Sequence, residues 1–172
     1  SNHGSIDDVR LYNRILTATA LCPRDMRGLI FHAPYDVDAR DYSGYGRVAT
    51  QIGAPYSFTD TGRVGRASAM SPASVAGVEY SQTCSISNTT TNIAFSIWIR
   101  PVSGSHVTPF FKLTHTTTPA TYINLYVLSD PQNNIVTVNF GIRDPITNTG
   151  STLKGSIGGN LLNVWTHVAV SV

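Results

Sequence analysis

Glutamate and lysine are nearly missing from this chain: Glu79 is the one glutamate, and Lys112 and Lys154 are the two lysines among 172 residues. Both are strong helix formers, so their scarcity argues against a helical protein. No apolar run approaches the ~20 residues of a membrane-spanning helix, so membrane insertion is not expected. The arginines are scattered and the net charge is only +2, which gives a nucleic-acid partner no electrostatic footing. No G-x-S-x-G nucleophile elbow is present. No signal peptide is visible, so a secreted form would be mature or excised. Cysteine is limited to Cys22 and Cys84, which are not metal-spaced. One disulfide in an oxidising compartment is the simplest reading, and two free buried thiols is the other. Within one chain such a bridge would be worth roughly 4 kcal/mol by the chain-entropy model. Between chains it would lock an assembly, and the sequence leaves the choice open.

What is present points to strands. Thr, Ser, Val and Ile abound, with 14 Gly and 9 Pro, the composition of many short strands joined by turns. Ile6 to Tyr12 alternates, placing Val9 and Leu11 on one face and Asp8 and Arg10 on the other, where the last two could pair. Residues 15–21 make the one plausible helical turn, with Thr17 as its cap and Pro23 ending the segment. Ile93 to Arg100 is the clearest strand, with Ile93, Phe95, Ile97 and Ile99 on one face and Pro101 halting it. Further strands are expected over 28–36, 78–81, 109–113, 122–128, 135–142 and 164–172, and a loop over 155–160. Trp98 and Trp165, lying in strands, are expected in the core. One domain of usual size accounts for the length.

Several of these stretches resemble laminin-G-like, concanavalin A-like jelly-roll domains. Gly4-Ser5-Ile6-Asp7-Asp8-Val9-Arg10-Leu11-Tyr12-Asn13-Arg14 resembles that family's closing strand, G-x-I-D-D-V-R-I-Y-N-R. Gly28 to Asp36 resembles its opening strand, Asp41 to Gly46 its D-x-S-G-x-G turn, and Gly62 to Ala67 its G-x-x-G-x-A segment. Ile93 to Pro101 resembles F-T-I-S-A-W-V-K-P, and Val164 to Val170 resembles W-T-H-V-A-V-T. The closing strand thus comes first, and the D-G-x-x-x-x-L-Y-V-N-G hairpin that usually follows W-T-H-V-A-V is absent. The resemblance implies an all-β, antiparallel β-sandwich (a jelly roll) completed by its N-terminal strand in cis or in trans. Residues 1–14 would be the donor or permuted strand, 15–27 a linker, and 28–172 the sandwich.

Donation in trans would make a head-to-tail homopolymer, because a non-closing contact propagates. The expected function is therefore a non-enzymatic structural subunit of an extracellular or cell-surface filament, with other copies of itself as partners. Ile6, Asp8, Val9, Arg10, Leu11 and Tyr12 would form the assembly strand. The alternative is a carbohydrate-binding module, calcium-assisted or not, with glycans as partners. Its platform would be Tyr42, Tyr45 and Tyr56 in loop-like stretches. Calcium would take Asp36, Asp38 and Asp41, joined by Asp8, since hard cations want several oxygens. Against this, Asp41 could simply make a turn hydrogen bond and Asp8 pair with Arg10. Asn88-Thr89-Thr90 is a glycosylation sequon. Related glucanases carry an E-x-D-x-x-E strand motif; with Glu79 alone, no such pair of carboxylates exists here, and no catalytic residue is expected.

Overall fold

The computed structural model describes residues 4–12, 14, 28–53, 57–70, 76–80, 93–101, 111–114, 122–130, 135–143, 150–158 and 162–171. Every regular element among them is a strand. In order they are β1 (Gly4–Tyr12), β2 (Leu29–Ala33), β3 (Ala49–Gly53), β4 (Ser57–Thr59), β5 (Ala67–Met70) and β6 (Ala76–Tyr80), followed by β7 (Ala94–Pro101), β8 (Phe111–Thr114), β9 (Tyr122–Asp130), β10 (Ile135–Arg143), β11 (Gly150–Gly158) and β12 (Thr166–Ser171). All pairings are antiparallel. The chain is therefore all-β, as the scarcity of helix formers implies, and its antiparallel sheets are consistent with a β-sandwich. The helical turn expected over 15–21 lies outside the described residues.

The largest sheet has six strands in the order β12-β7-β1-β5-β4, with β2 also paired to β1. β1 is its middle. One edge of β1 runs against β7, from Gly4 opposite Pro101 to Tyr12 opposite Ala94. The other edge is shared: Gly4 to Ile6 pair with β5, and Val9 to Tyr12 pair with β2. A four-stranded sheet, β11-β10-β9-β8, and a two-stranded ribbon, β3-β6, complete the set.

The face of the large sheet that carries Ile6, Val9 and Leu11 is the apolar core. Phe95, Ile97 and Ile99 of β7, Ile30, Phe31 and Ala33 of β2, and Val168 of β12 join them. Ala49, Val78 and Tyr80 of the β3-β6 ribbon pack onto that surface. Tyr80 meets the Phe31 ring edge-on at 4.7 Å, and its hydroxyl donates to the Ala39 carbonyl at 2.5 Å. Each fully buried aliphatic side chain here is worth about 1.5–3 kcal/mol in area removed from water.

β1 does not alternate strictly. Between Asp7, opposite Trp98, and Arg10, opposite Ser96, it carries one residue more than β7. This is a β-bulge, and Asp8 takes a φ of 48° to make it. The extra residue explains the sequence Ile-Asp-Asp-Val. Strict alternation would put Ile6 on the same face as Asp8 and Arg10; the bulge shifts the phase so that Ile6, Val9 and Leu11 all reach the core.

Three expectations from the sequence need correction, and three strands are additional to those expected. Residues 155–158 belong to β11 rather than to a loop, because nine consecutive positions pair in register with β10, from Ile135 opposite Gly158 to Arg143 opposite Gly150. The ladder overrides the low strand propensity of Gly155 and Gly158. β3, β4 and β5 went unrecognised because they are three to five residues long and rich in Ala, Ser and Thr, too short for a period to show. Trp98 lies on the opposite face from the core and is half-buried, since Phe95, Ile97 and Ile99 take the core positions. Trp165 precedes β12 and is likewise half-buried.

Candidate functional site

The assembly-strand residues separate by face. Val9 and Leu11 are 1% and 0% exposed, and Leu11 sits in register between Phe31 and Phe95. Tyr12 points the other way, into a small cluster with Leu29 and Ala94. Between these ends, β1 supplies Asp7, Asp8 and Arg10 to a polar cluster on the second face of the sheet, which β2, β7 and β12 complete with His32, Ser96 and His167.

Asp8 is its centre. The bulge turns Asp8 toward Arg10, which donates from Nε to Oδ1 at 3.0 Å, with a second nitrogen 2.9 Å from Oδ2. His32, opposite Arg10 on β2, places Nε2 2.9 Å from the same Oδ1. Burial pushes the Asp8 carboxyl up, but the His32 hydrogen bond and the Arg10 charge outweigh it and hold the group below its ordinary value. The Asp8–Arg10 pairing expected from the sequence is thus present, and His32 is the partner that periodicity did not reveal. Its signal was available only after register was known.

The next row holds Ser96 and His167. Their Oγ and Nε2 atoms lie 2.8 Å apart. The imidazole also lies 4.8 Å from the Trp98 ring. Burial lowers the proton affinity of His167, the Asp8 carboxylate raises it, and Arg10 lowers it, with the net result below the ordinary value. A Ser–His contact is the geometry of a nucleophile and its base. Here Ser96 is mid-strand and buried, so a substrate has no approach to Oγ. The pair orients the ring.

Asp7 occupies the far end of this face. Its Oδ2 accepts from the backbone N–H of Arg63 at 2.9 Å and of Val64 at 3.2 Å. Among the described residues its Oδ1 has no hydrogen-bond partner, and Asp7 is 1% exposed. Burial drives the carboxyl up to about 6; the two N–H bonds oppose this, and the Asp36 and Asp8 charges add to it. The loop that Asp7 holds needs its glycines. Gly65 has φ +69°, and a Cβ there would strike Asp36; a Cβ on Gly62 would strike the backbone of Arg66.

The acidic residues considered for calcium do not converge. Asp36 accepts from the Arg66 N–H at 3.2 Å. Asp38 accepts from the Arg40 N–H at 2.8 Å and from the Tyr42 hydroxyl at 3.3 Å. Asp41 Oδ1 accepts from the N–H groups of Ser43 and His32, and its Oδ2 meets Arg47 at 2.6 Å. Arg47 also donates to the Ile30 carbonyl. Burial raises the Asp41 carboxyl, but the hydrogen bonds from Ser43, His32 and Arg47 bring it below its ordinary value. Among the described residues, no group of three or more His, Cys, Asp or Glu is placed to hold a metal ion.

The loop that Asp41 and Arg47 anchor exposes two of the three tyrosines considered as a sugar platform. Tyr42 is 47% and Tyr45 55% exposed, and Arg47 lies 4.8 Å beneath the Tyr45 ring. Tyr56, Cys22, Cys84 and Asn88 lie outside the described residues. No helix among those described is long and apolar enough to cross a membrane. No family model matches the chain, and neither a curated protein nor a solved structure is significantly similar to it.

Proposed function

We propose that this chain is a non-enzymatic structural module of the cell surface or extracellular space. On this reading it is a laminin-G-like jelly roll whose β1 is an exchangeable strand, able to complete its own sheet or that of a neighbouring copy. The supporting observation is the position of β1. The first of the described strands, separated from β2 by residues 13–28, sits in the middle of the six-stranded sheet, paired along both edges. A copy whose β1 has left would present a slot walled by β7 on one side and by β2 and β5 on the other. Val9 and Leu11 of an incoming β1 would refill the core, a gain of about 1.5–3 kcal/mol each. Exchange in trans is head-to-tail and gives a homopolymer.

The test uses the observed register. Ser5 lies opposite Arg100, a spacing that suits a disulfide. The full chain carrying Ser5→Cys and Arg100→Cys is oxidised at high concentration and run on a non-reducing gel beside the unsubstituted chain. A ladder of covalent oligomers specific to the doubly substituted chain is the expected result. Cross-linked monomer alone at every concentration would sink the strand-exchange reading.

A second reading is a carbohydrate-binding module. Exposed Tyr42 and Tyr45 on a loop pinned by the buried Asp41–Arg47 pair favour it. It requires glycan retention on an array that is lost in Tyr42→Ala with Tyr45→Ala; no retention by the unsubstituted chain removes it.

A further inference from the structure

β4 and β5 pair with each other, so their connection could have stayed at the edge of the sheet. It runs back across the polar face instead. Arg63 and Val64 donate backbone N–H bonds to Asp7 of β1. The Arg63 guanidinium lies 4.9 Å over the Trp98 ring of β7. Thr61 accepts from Trp165 Nε1 at 3.1 Å, next to β12. Given the strand order β12-β7-β1-β5-β4, residues 61–66 reach from β5 over β1 and β7 to the start of β12. Their outgoing end is tied by Asp36 to the Arg66 N–H, and their turn by Gly62 N–H to the Gly65 carbonyl at 3.1 Å.

We propose that residues 61–66 are a clasp that keeps β1 in its own sheet, with Asp7 as its catch. The proposal rests on the exchangeable-strand reading above and names what regulates that exchange. β1 leaves the sheet only after both N–H bonds to Asp7 have broken. The two N–H bonds of the clasp both fall on Oδ2, and among the described residues Oδ1 has no hydrogen-bond partner.

The charges that act on the Asp7 carboxyl are those of Asp36, after β2, and Asp8, on β1 itself. Arg63 lies in the clasp, with its guanidinium over Trp98, His32 of β2 is bound to Asp8, Arg100 and His167 belong to β7 and β12, and β5 brings no charged residue. The docked carboxyl titrates at about 6, above the 3.8 of a free aspartate. The docked strand therefore carries the extra proton: ionising the buried carboxyl costs more than the two N–H bonds return, so the stability of the docked strand, complete below the free value, falls as pH rises from there through about 6. Asp8 and His167 are shifted downward and act in the opposite sense, so the effect of Asp7 is read against a variant.

Hydrogen–deuterium exchange on the full chain tests the clasp, comparing β1 amides with those of β10 in the four-stranded sheet. Gly65→Val places a β-branched residue at φ +69° and against Asp36, opening the clasp while leaving β1 unchanged. The expected result is exchange in β1 faster by roughly five- to thirtyfold, with β10 unaffected. Equal acceleration of both strands, or none in β1, overturns the proposal. Asp7→Asn keeps an acceptor for the two N–H groups and removes the titration. β1 of the unsubstituted chain is expected to open more readily as pH rises from about 4 to 6, after correction for intrinsic exchange, and β1 of the variant is expected to lose that dependence. Identical profiles overturn the role of Asp7. Mixing isotopically labelled and unlabelled copies separates the clasp from its parent reading. Faster β1 opening in Gly65→Val without pairing between copies upholds the clasp and removes strand donation. Pairing between copies with unchanged β1 opening removes the clasp and leaves donation standing.

Discussion

Strands β1 and β7 send side chains to both faces of one sheet, and the two faces are held by different physics. On the core face, Val9, Leu11, Phe95 and Ile97 are apolar and buried. Their contribution is non-directional and scales with area. On the other face, Asp8 is linked to Arg10 and His32, and Ser96 to His167, by contacts of 2.8–3.0 Å. Those contacts have fixed geometry and depend on protonation. The bulge at Asp8 joins the two systems, since one extra residue aims Val9 inward and Asp8 at its partners. Area holds the strand in the sheet, while the polar row selects its alignment, because a one-residue slip would bring Asp8 and Arg10 to the core.

The comparison can be broken from its core side with the largest effect. Leu11→Ala should cost about 2–5 kcal/mol in urea unfolding, by lost transfer energy plus a cavity. A cost below about 1 kcal/mol would mean that the Leu11 site collapses freely and that area is not what holds β1. From the polar side the effect should be smaller. Asp8→Ala removes the shared acceptor of Arg10 and His32 and leaves an Ala at φ 48°. A loss of about 1–3 kcal/mol is expected, with β1 exchange protection falling most at Arg10. Acidity sharpens the contrast. The Asp8 and Asp41 carboxyls sit below their ordinary 3.8, so the stability they add is present above that value and is lost as pH falls through their folded values. Asp7 runs the other way, its contribution weakening as pH rises through about 6. Urea titrations at several pH values should show Asp7→Asn gaining on the unsubstituted chain as pH rises from about 4 to 6 and holding that gain above it. The smallest effect is expected at the anchored loop's rim, where Tyr42→Ala should change stability by no more than about 0.5 kcal/mol. A larger loss would show that its hydroxyl bond to Asp38 is structural.

Much of the strand content could be read from periodicity and turn residues. Ile93 to Pro101 emerged because four apolar residues at alternate positions end on a proline. The faces of Val9 and Leu11 against Asp8 and Arg10 were legible for the same reason. The phase change at Asp8 was written in the Asp-Asp doublet, yet a window that tests strict alternation passes over it. β3, β4 and β5 could not be seen, being too short to carry a period. The polar cluster was legible only in part. Asp8 and Arg10 are two apart in sequence, whereas His32, Ser96 and His167 reach them through pairings of β2, β7 and β12 that no local pattern specifies. The clasp was visible as a glycine-spaced segment. That its backbone would be held by Asp7 depended on long-range register, as did the half-buried position of Trp98 on the face opposite the core.

The split pairing of β1 also bears on the order of folding. Tyr12 pairs with Ala94, so about 80 residues separate a buried strand from the neighbour along its whole length. At about 5–20 residues per second, the ribosome makes β1 roughly 4–16 s before β7 is complete. β2 and β5 arrive sooner but cover different halves of one edge, so neither seals the strand. Val9 and Leu11 wait in water through that interval, long on the timescale of hairpin formation, which is microseconds. The local β3-β6, β8-β9-β10-β11 and β4-β5 pairings can form as they are synthesised, whereas the middle strand of the large sheet is locked in late. Of the twelve strands described, the one made first is among the last to be secured.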